Sequence, residues 1–121
     1  MRFLLISLLF AVSVAARAQS IQMLVQRSPL AGFDYYKAGS HFADLQVGEV
    51  LKLVREPDNP YDVNAVRVEW HGEKLGYLPR TENRAVAAEM DRGGKIEARV
   101  AGLRQHPNPR LRLLIEVFVV L

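Results

Sequence analysis

The chain has 121 residues, no cysteine and a formal net charge of +3. That length allows one domain with one modest core. The missing thiols exclude a disulfide framework and a thiolate zinc site.

Met1-Arg2 precedes an apolar run from Phe3 to Ala15, broken only by Ser7 and Ser13. Ala16-Arg17-Ala18-Gln19 then puts small residues at the −3 and −1 positions of a cleavage site after Ala18. This is the pattern of a secretory signal peptide, and its apolar part is short for a bilayer span. The expected organisation is a signal over residues 1–18 and a single domain over 19–121, delivered to a periplasm or outside the cell. Cleavage removes Arg2 and Arg17, so fourteen basic residues stand against thirteen acidic ones, a net charge of +1. So near-neutral a domain lacks the global electrostatic footprint of a non-specific nucleic-acid binder. Any such binding has to be local.

Period-two alternation runs through the remaining chain. Ile21, Met23 and Val25 share one face of a first strand, and Val66, Val68 and Trp70 share another, with Arg67 and Glu69 opposite. Ile96, Ala98 and Val100 repeat the pattern, and Leu111, Leu113, Ile115, Val117 and Val119 form the longest face. Several such segments predict a mainly β fold, an antiparallel sheet curled around one core. His71-Gly72-Glu73 is a tight connection, so Ala65–Trp70 and Lys74–Leu78 are expected to form a hairpin. One segment differs. Thr81 suits an N-cap, Ala85 to Met90 favours helix, and Gly93-Gly94 suits a left-handed stop, which predicts a helix over 82–91 at one end of the sheet. Gln105-His106-Pro107-Asn108-Pro109 reads as the turn before the last strand.

The densest stretch is Arg55-Glu56-Pro57-Asp58-Asn59-Pro60-Tyr61-Asp62-Val63-Asn64-Ala65-Val66. Two prolines fix their own φ and bias the residues before them towards extended backbone. Asp58, Asn59, Asp62 and Asn64 suit Asx-turns. The stretch is therefore either a rigid connection between strands or a loop that presents Asn59, Tyr61 and Asp62 to a ligand. Asp58 and Asp62 also form a pair of carboxylates, although turn capping explains both equally well.

Other chemistry is missing. No Gly-rich phosphate loop precedes a Lys and Ser or Thr, and His41, His71 and His106 lack a His-Glu-x-x-His spacing. An enzyme, a metal site and a cofactor are therefore not expected.

The run from Arg55 to Val66 resembles the signature of the HIRAN family. Lys74-Leu75-Gly76-Tyr77-Leu78-Pro79-Arg80 looks like that family's second block, and Gly32-Phe33-Asp34-Tyr35-Tyr36 sits where it has an aromatic first-strand motif. The resemblance extends from about Val25 to Val119. It implies a small β-barrel related to the oligonucleotide-binding barrel, with one or two short helices beside it. It also implies a non-catalytic module that binds nucleic acid, capturing the free 3′-hydroxyl end of single-stranded DNA. Tyr35 and Tyr36 match the tandem aromatics, Asn59, Tyr61 and Asp62 match the loop, Tyr77 stands for a histidine, and Arg80 stands at a phosphate-contacting position. The helicase-type ATPases and RING modules fused to relatives have no counterpart here, so ATP hydrolysis and zinc binding are not carried over. Asp34 occupies a position where a DNA-binding member carries arginine, and a carboxylate facing the phosphate backbone weakens binding. Arg55, Lys74, Arg80, Arg84 and Arg104 compensate if they share a face. The alternative is an extracytoplasmic module that keeps the barrel and binds a protein or other envelope ligand.

Overall fold

The computed structural model describes residues 21–121, so the signal peptide expected at 1–18 lies outside the described residues. Six strands form one antiparallel sheet: β1 (Gln22–Pro29), β2 (Val50–Arg55), β3 (Val66–Trp70), β4 (Glu73–Tyr77), β5 (Lys95–Leu103) and β6 (Leu113–Val120). Their order is β1-β6-β5-β2-β3-β4. Two short helices accompany them, α1 (Ala38–His41) and α2 (Arg84–Asp91).

The curl into a barrel is completed by the segment that follows β1. Beyond β1, Ala31 pairs with Tyr77 of β4, each donating its backbone N–H to the other's carbonyl at 2.8 and 3.0 Å. The two outer strands are thereby joined, as expected of a β-barrel. Gly76 makes this approach possible, because a Cβ there would lie 2.3 Å from the Ala31 carbonyl oxygen.

Alternation positions the core as read. Val66, Val68 and Trp70 are buried from β3, Ala98 and Val100 from β5, and Leu113, Ile115 and Val117 from β6. Leu30, Leu51, Leu75 and Leu78 join them, and α2 inserts Val86 and Ala87. Burying a side chain of this kind contributes roughly 1.5–3 kcal/mol, which is what a disulfide-free domain depends on. The hairpin β3–β4 forms over a two-residue turn at His71 and Gly72.

Four details depart from the sequence reading. Ile21, Met23 and Val25 do not enter the core, being 69%, 49% and 42% exposed. β1 stands at the end of the sheet order, Val25 is an extra residue in its pairing with β6, and only Ser28 and the following Leu30 point into the barrel. Helix α2 starts two residues later than expected. Asn83, not Thr81, holds the cap position; its side chain makes no cap bond, Nδ2 donating to Asp62 while the buried Oδ1 has no partner among the described residues. Leu111 lies exposed in a 3-10 turn (Pro109–Leu111) before β6, where Pro109 and the Asn108 side chain set the turn. The motif around Tyr35 and Tyr36 is not strand; it forms the turns between β1 and α1.

Candidate nucleic-acid interface

The loop joining β2 to β3 is three tight turns in succession. Asn59, Asp62 and Ala65 donate their amides to the carbonyls of Glu56, Asn59 and Asp62 at 3.2, 3.4 and 3.1 Å. Two Asx side chains fix the turns, Asn59 Oδ1 accepting from the Tyr61 amide and Asp62 Oδ1 from the Asn64 amide, both at 2.9 Å. Arg55 closes the base of the loop. Its guanidinium donates to the Val63 and Ala65 carbonyls at 2.7 and 3.0 Å, and to both Asp91 oxygens of α2 at 3.0 and 3.3 Å.

Glu56 ties this loop to the hairpin. Its Oε1 accepts from the Tyr77 hydroxyl at 2.8 Å and from Asn59 Nδ2 at 3.1 Å, while Oε2 accepts from Arg67 at 2.8 Å. Burial alone would raise the Glu56 pKa, but the Tyr77 and Asn59 hydrogen bonds and the Arg67 and Lys74 charges outweigh it. The carboxyl is held below its ordinary value.

Across from the loop, Tyr36 meets Tyr77 edge to face with ring centroids 5.6 Å apart. Tyr36 packs down against Gly32, whose φ of 81° only glycine adopts readily and whose missing Cβ would sit 2.9 Å from the tyrosine ring. The Lys74 ammonium lies 4.0 Å from the Tyr36 ring centre and 4.5 Å from that of Tyr77. Burial would lower its pKa, yet contacts with Tyr77, Tyr36 and Glu56 raise it overall, so the lysine stays a cation. Tyr77 is shifted the other way from reactivity: burial first, and then Glu56, hold its hydroxyl protonated.

These parts enclose one open cavity of about 280 Å³ lined by Ala31, Tyr36, Asn59, Tyr61, Asp62, Ala65, Tyr77, Leu78 and Arg80. Six side chains expected from the sequence thus meet in one place, at the seam where the barrel closes. Tyr61, at 82% exposed, forms the outer rim. Asp62 is held from behind, its Oδ2 accepting from Asn83 Nδ2 at 2.7 Å. Each carboxylate oxygen then has a second acceptor position left.

Other expectations fare differently. Tyr35 is 87% exposed and does not line the cavity. Of the cations, Arg80 lines the cavity and Lys74 flanks its two tyrosines, but Arg55 is consumed within the fold. Arg104 belongs to a separate hollow beside Pro29 and Leu111, so the set does not share one face. Asp34 is not in the cavity either; its carboxylate is 3.5 Å from Arg112, which also lies over the Phe33 ring. Asp58 lines the outer side of the loop, apart from the cavity that Asp62 lines. The histidines are less scattered than they looked, His41 and His71 flanking Trp70 with ring centres at 5.1 and 4.1 Å.

Sequence reasoning missed Glu56 and Asn83. Glu56 directly precedes the proline of the quoted motif, and its charge beside two Asx residues was the available signal. Nothing local marks Asn83, because its partner is 21 residues away.

A family model described as HIRAN domain matches residues 23–121. Among solved structures, a protein from Lactobacillus plantarum is similar at 26% identity with a TM-score of 0.71, over 84% of this chain and 97% of its own. The HIRAN domain of human HLTF is similar at 25% identity with a TM-score of 0.62, over 82% of this chain and 78% of its own. No curated protein matches. The motifs, the barrel and the family match agree, and the chain belongs to the HIRAN domain family.

Proposed function

We propose that the cavity between the 56–65 loop and Tyr36 binds a free end of single-stranded nucleic acid, in the manner the HIRAN resemblance implies, without catalysing a reaction. The carrying observation is the convergence of Tyr36, Asn59, Tyr61, Asp62, Tyr77 and Arg80 on one cavity. In this reading Tyr36 and Tyr61 offer faces and edges to a terminal base and sugar. Asp62 accepts a hydrogen bond from a 3′-hydroxyl and repels a 3′-phosphate. Arg80 and Lys74 supply the local positive charge that the domain as a whole lacks. Asp34 does not line the cavity; its carboxylate lies 3.5 Å from Arg112. The leader reading places this activity outside the cytoplasm, where the ligand is environmental or imported DNA.

A second reading, an envelope module whose barrel binds a protein or other surface ligand, is favoured by the position of Tyr35, which leaves only one of the tandem aromatics in the cavity. One experiment separates the two. Fluorescence anisotropy of residues 19–121 compares a labelled single strand ending in a 3′-hydroxyl with the same strand ending in a 3′-phosphate, across a salt series. Selective binding of the hydroxyl end supports the DNA-end reading. Equal binding of both ends overturns end recognition, and no binding even at low salt favours an envelope ligand.

A further inference from the structure

Asn83 is 1% exposed and yet carries an unpaired polar atom. Its Nδ2 donates to Asp62 Oδ2 at 2.7 Å, while its Oδ1, buried with it, has no hydrogen-bond partner among the described residues. This orientation is forced, because a carboxylate only accepts and the amide must turn its NH2 towards Asp62. A buried oxygen left in this way is a cost to stability, since it loses water on folding and gains no donor in return. Leucine has the same branched shape and would leave no such oxygen. Packing alone therefore does not call for asparagine here; a donor aimed at Asp62 does.

What that donor does follows from the geometry of Asp62. The torsion about its Cβ–Cγ bond is broad and roughly two-fold, so the carboxylate has little preferred plane of its own. The Asn64 amide, 2.9 Å from Oδ1, belongs to the same loop and moves with it. Asn83 grips the other oxygen from α2, whose Val86 and Ala87 are 2% and 1% exposed in the core. Its own backbone is fixed as well, the Asn83 carbonyl accepting from the Ala87 amide at 2.9 Å. Two donors from two elements, one on each oxygen, set the plane of the carboxylate that lines the cavity. The other end of α2 acts on the same stretch, Asp91 holding Arg55 while Arg55 holds the Val63 and Ala65 carbonyls. Residues 62–65 are thus clamped from both ends of one helix.

We infer that Asn83 is the positioning residue of the cavity, fixing the direction in which Asp62 accepts from a terminal hydroxyl, on the reading of that cavity as a site for a nucleic-acid end. Asn83 lines no part of the cavity and acts only through Asp62. A hydrogen bond weakens steeply once its angle is poor, so a carboxylate free to turn keeps its charge but selects less among ends. Asp62 is half-buried beside an open cavity, where water replaces a lost amide donor. Removing the Asn83 donor therefore costs discrimination and leaves stability largely intact.

Asn83→Leu in residues 19–121 tests this; the described fold lies wholly within that segment. Its urea midpoint should stay close to the parent's. In anisotropy titrations its preference for a 3′-hydroxyl over a 3′-hydrogen end should fall about fivefold, the step from a charge-assisted hydrogen bond to an ordinary one. Hydrogen exchange at the Asn64 amide should quicken, with Ile115 of β6 unchanged. A lower midpoint with the preference intact would make Asn83 a core residue only and overturn the inference, as would an Asn64 amide as protected as in the parent. A parent that does not distinguish the two ends defeats the reading of the cavity instead, and the Asn64 exchange then decides whether Asn83 orients Asp62. If the leucine variant does not fold, NMR of the unaltered protein and of Asp62→Ala decides. The Asn83 carboxamide proton facing Asp62 should resonate downfield of those of exposed Asn108 and lose that shift in Asp62→Ala. A resonance indifferent to Asp62 would overturn the inference.

Discussion

Replacing Gly76 by alanine tests whether the barrel is held closed where the structure closes it. A Cβ at this position would lie 2.3 Å from the Ala31 carbonyl oxygen and 3.1 Å from two carbons of Leu30, which is 1% exposed. The neighbour that blocks it is backbone, so rotating a side chain away offers no relief. The Ala31–Tyr77 pair must separate, losing two backbone hydrogen bonds at about 1 kcal/mol each. Displacing Leu30 adds an overpacking cost of about 1–3 kcal/mol. The variant should therefore be less stable by about 3–5 kcal/mol, a large share of the roughly 5–15 kcal/mol typical of a domain. Urea unfolding followed by the emission of Trp70, the only tryptophan, measures the loss. Hydrogen exchange at Ala31 and Tyr77 locates it. A variant within about 0.5 kcal/mol of the parent, the range of ordinary surface changes, would refute the closure argument. So would a large loss with both amides still protected.

Three further outcomes follow from the site. The depressed pKa of Glu56 makes its contribution to stability full above the ordinary value of 4.5 and lost as pH falls through the lower folded value. Acid unfolding of Glu56→Gln should accordingly begin from a lower stability and show a shallower dependence in that window; an unchanged acid limb would contradict the role given to Glu56. Asn83→Asp places a second carboxylate against Asp62 Oδ2 in a buried position, and should cost more than about 2 kcal/mol at neutral pH, with partial recovery on acidification. Thermal melts at two pH values measure this, and an equal loss at both would exclude carboxylate repulsion as its cause. Tyr36→Ala should weaken single-strand binding at least about fivefold, as the loss of one stacking partner worth roughly 1–3 kcal/mol requires. Tyr35→Ala should change it little, and the reverse ranking in anisotropy titrations would move the binding surface out of the cavity.

The barrel was largely legible in the sequence, because period-two burial is a local property. Val66, Val68 and Trp70, or Leu113, Ile115 and Val117, show their buried face within five residues. β1 misled for the same reason. Its alternation is as good as that of β6, but a strand at the end of the order with an extra residue at Val25 does not face the core along its length. The loop was legible because prolines and Asx residues act on their nearest neighbours. Glu56 and Asn83 were not, since each gains its role from residues 21 positions away, Tyr77 and Asp62 respectively. Asp34 shows the same limit, as its partner Arg112 lies far along the chain, just before the last strand.

The central claim, that Asp62 reads a terminal hydroxyl in this cavity, is tested most directly by a double-mutant cycle. Binding of single strands ending in a 3′-hydroxyl or in a 3′-hydrogen would be measured for the parent and for Asp62→Ala. A charge-assisted hydrogen bond predicts a coupling of about 1.5–3 kcal/mol, so that removing the hydroxyl costs the parent tenfold or more and the variant nothing. A coupling of zero, with both proteins equally sensitive or equally indifferent to the hydroxyl, would contradict the account.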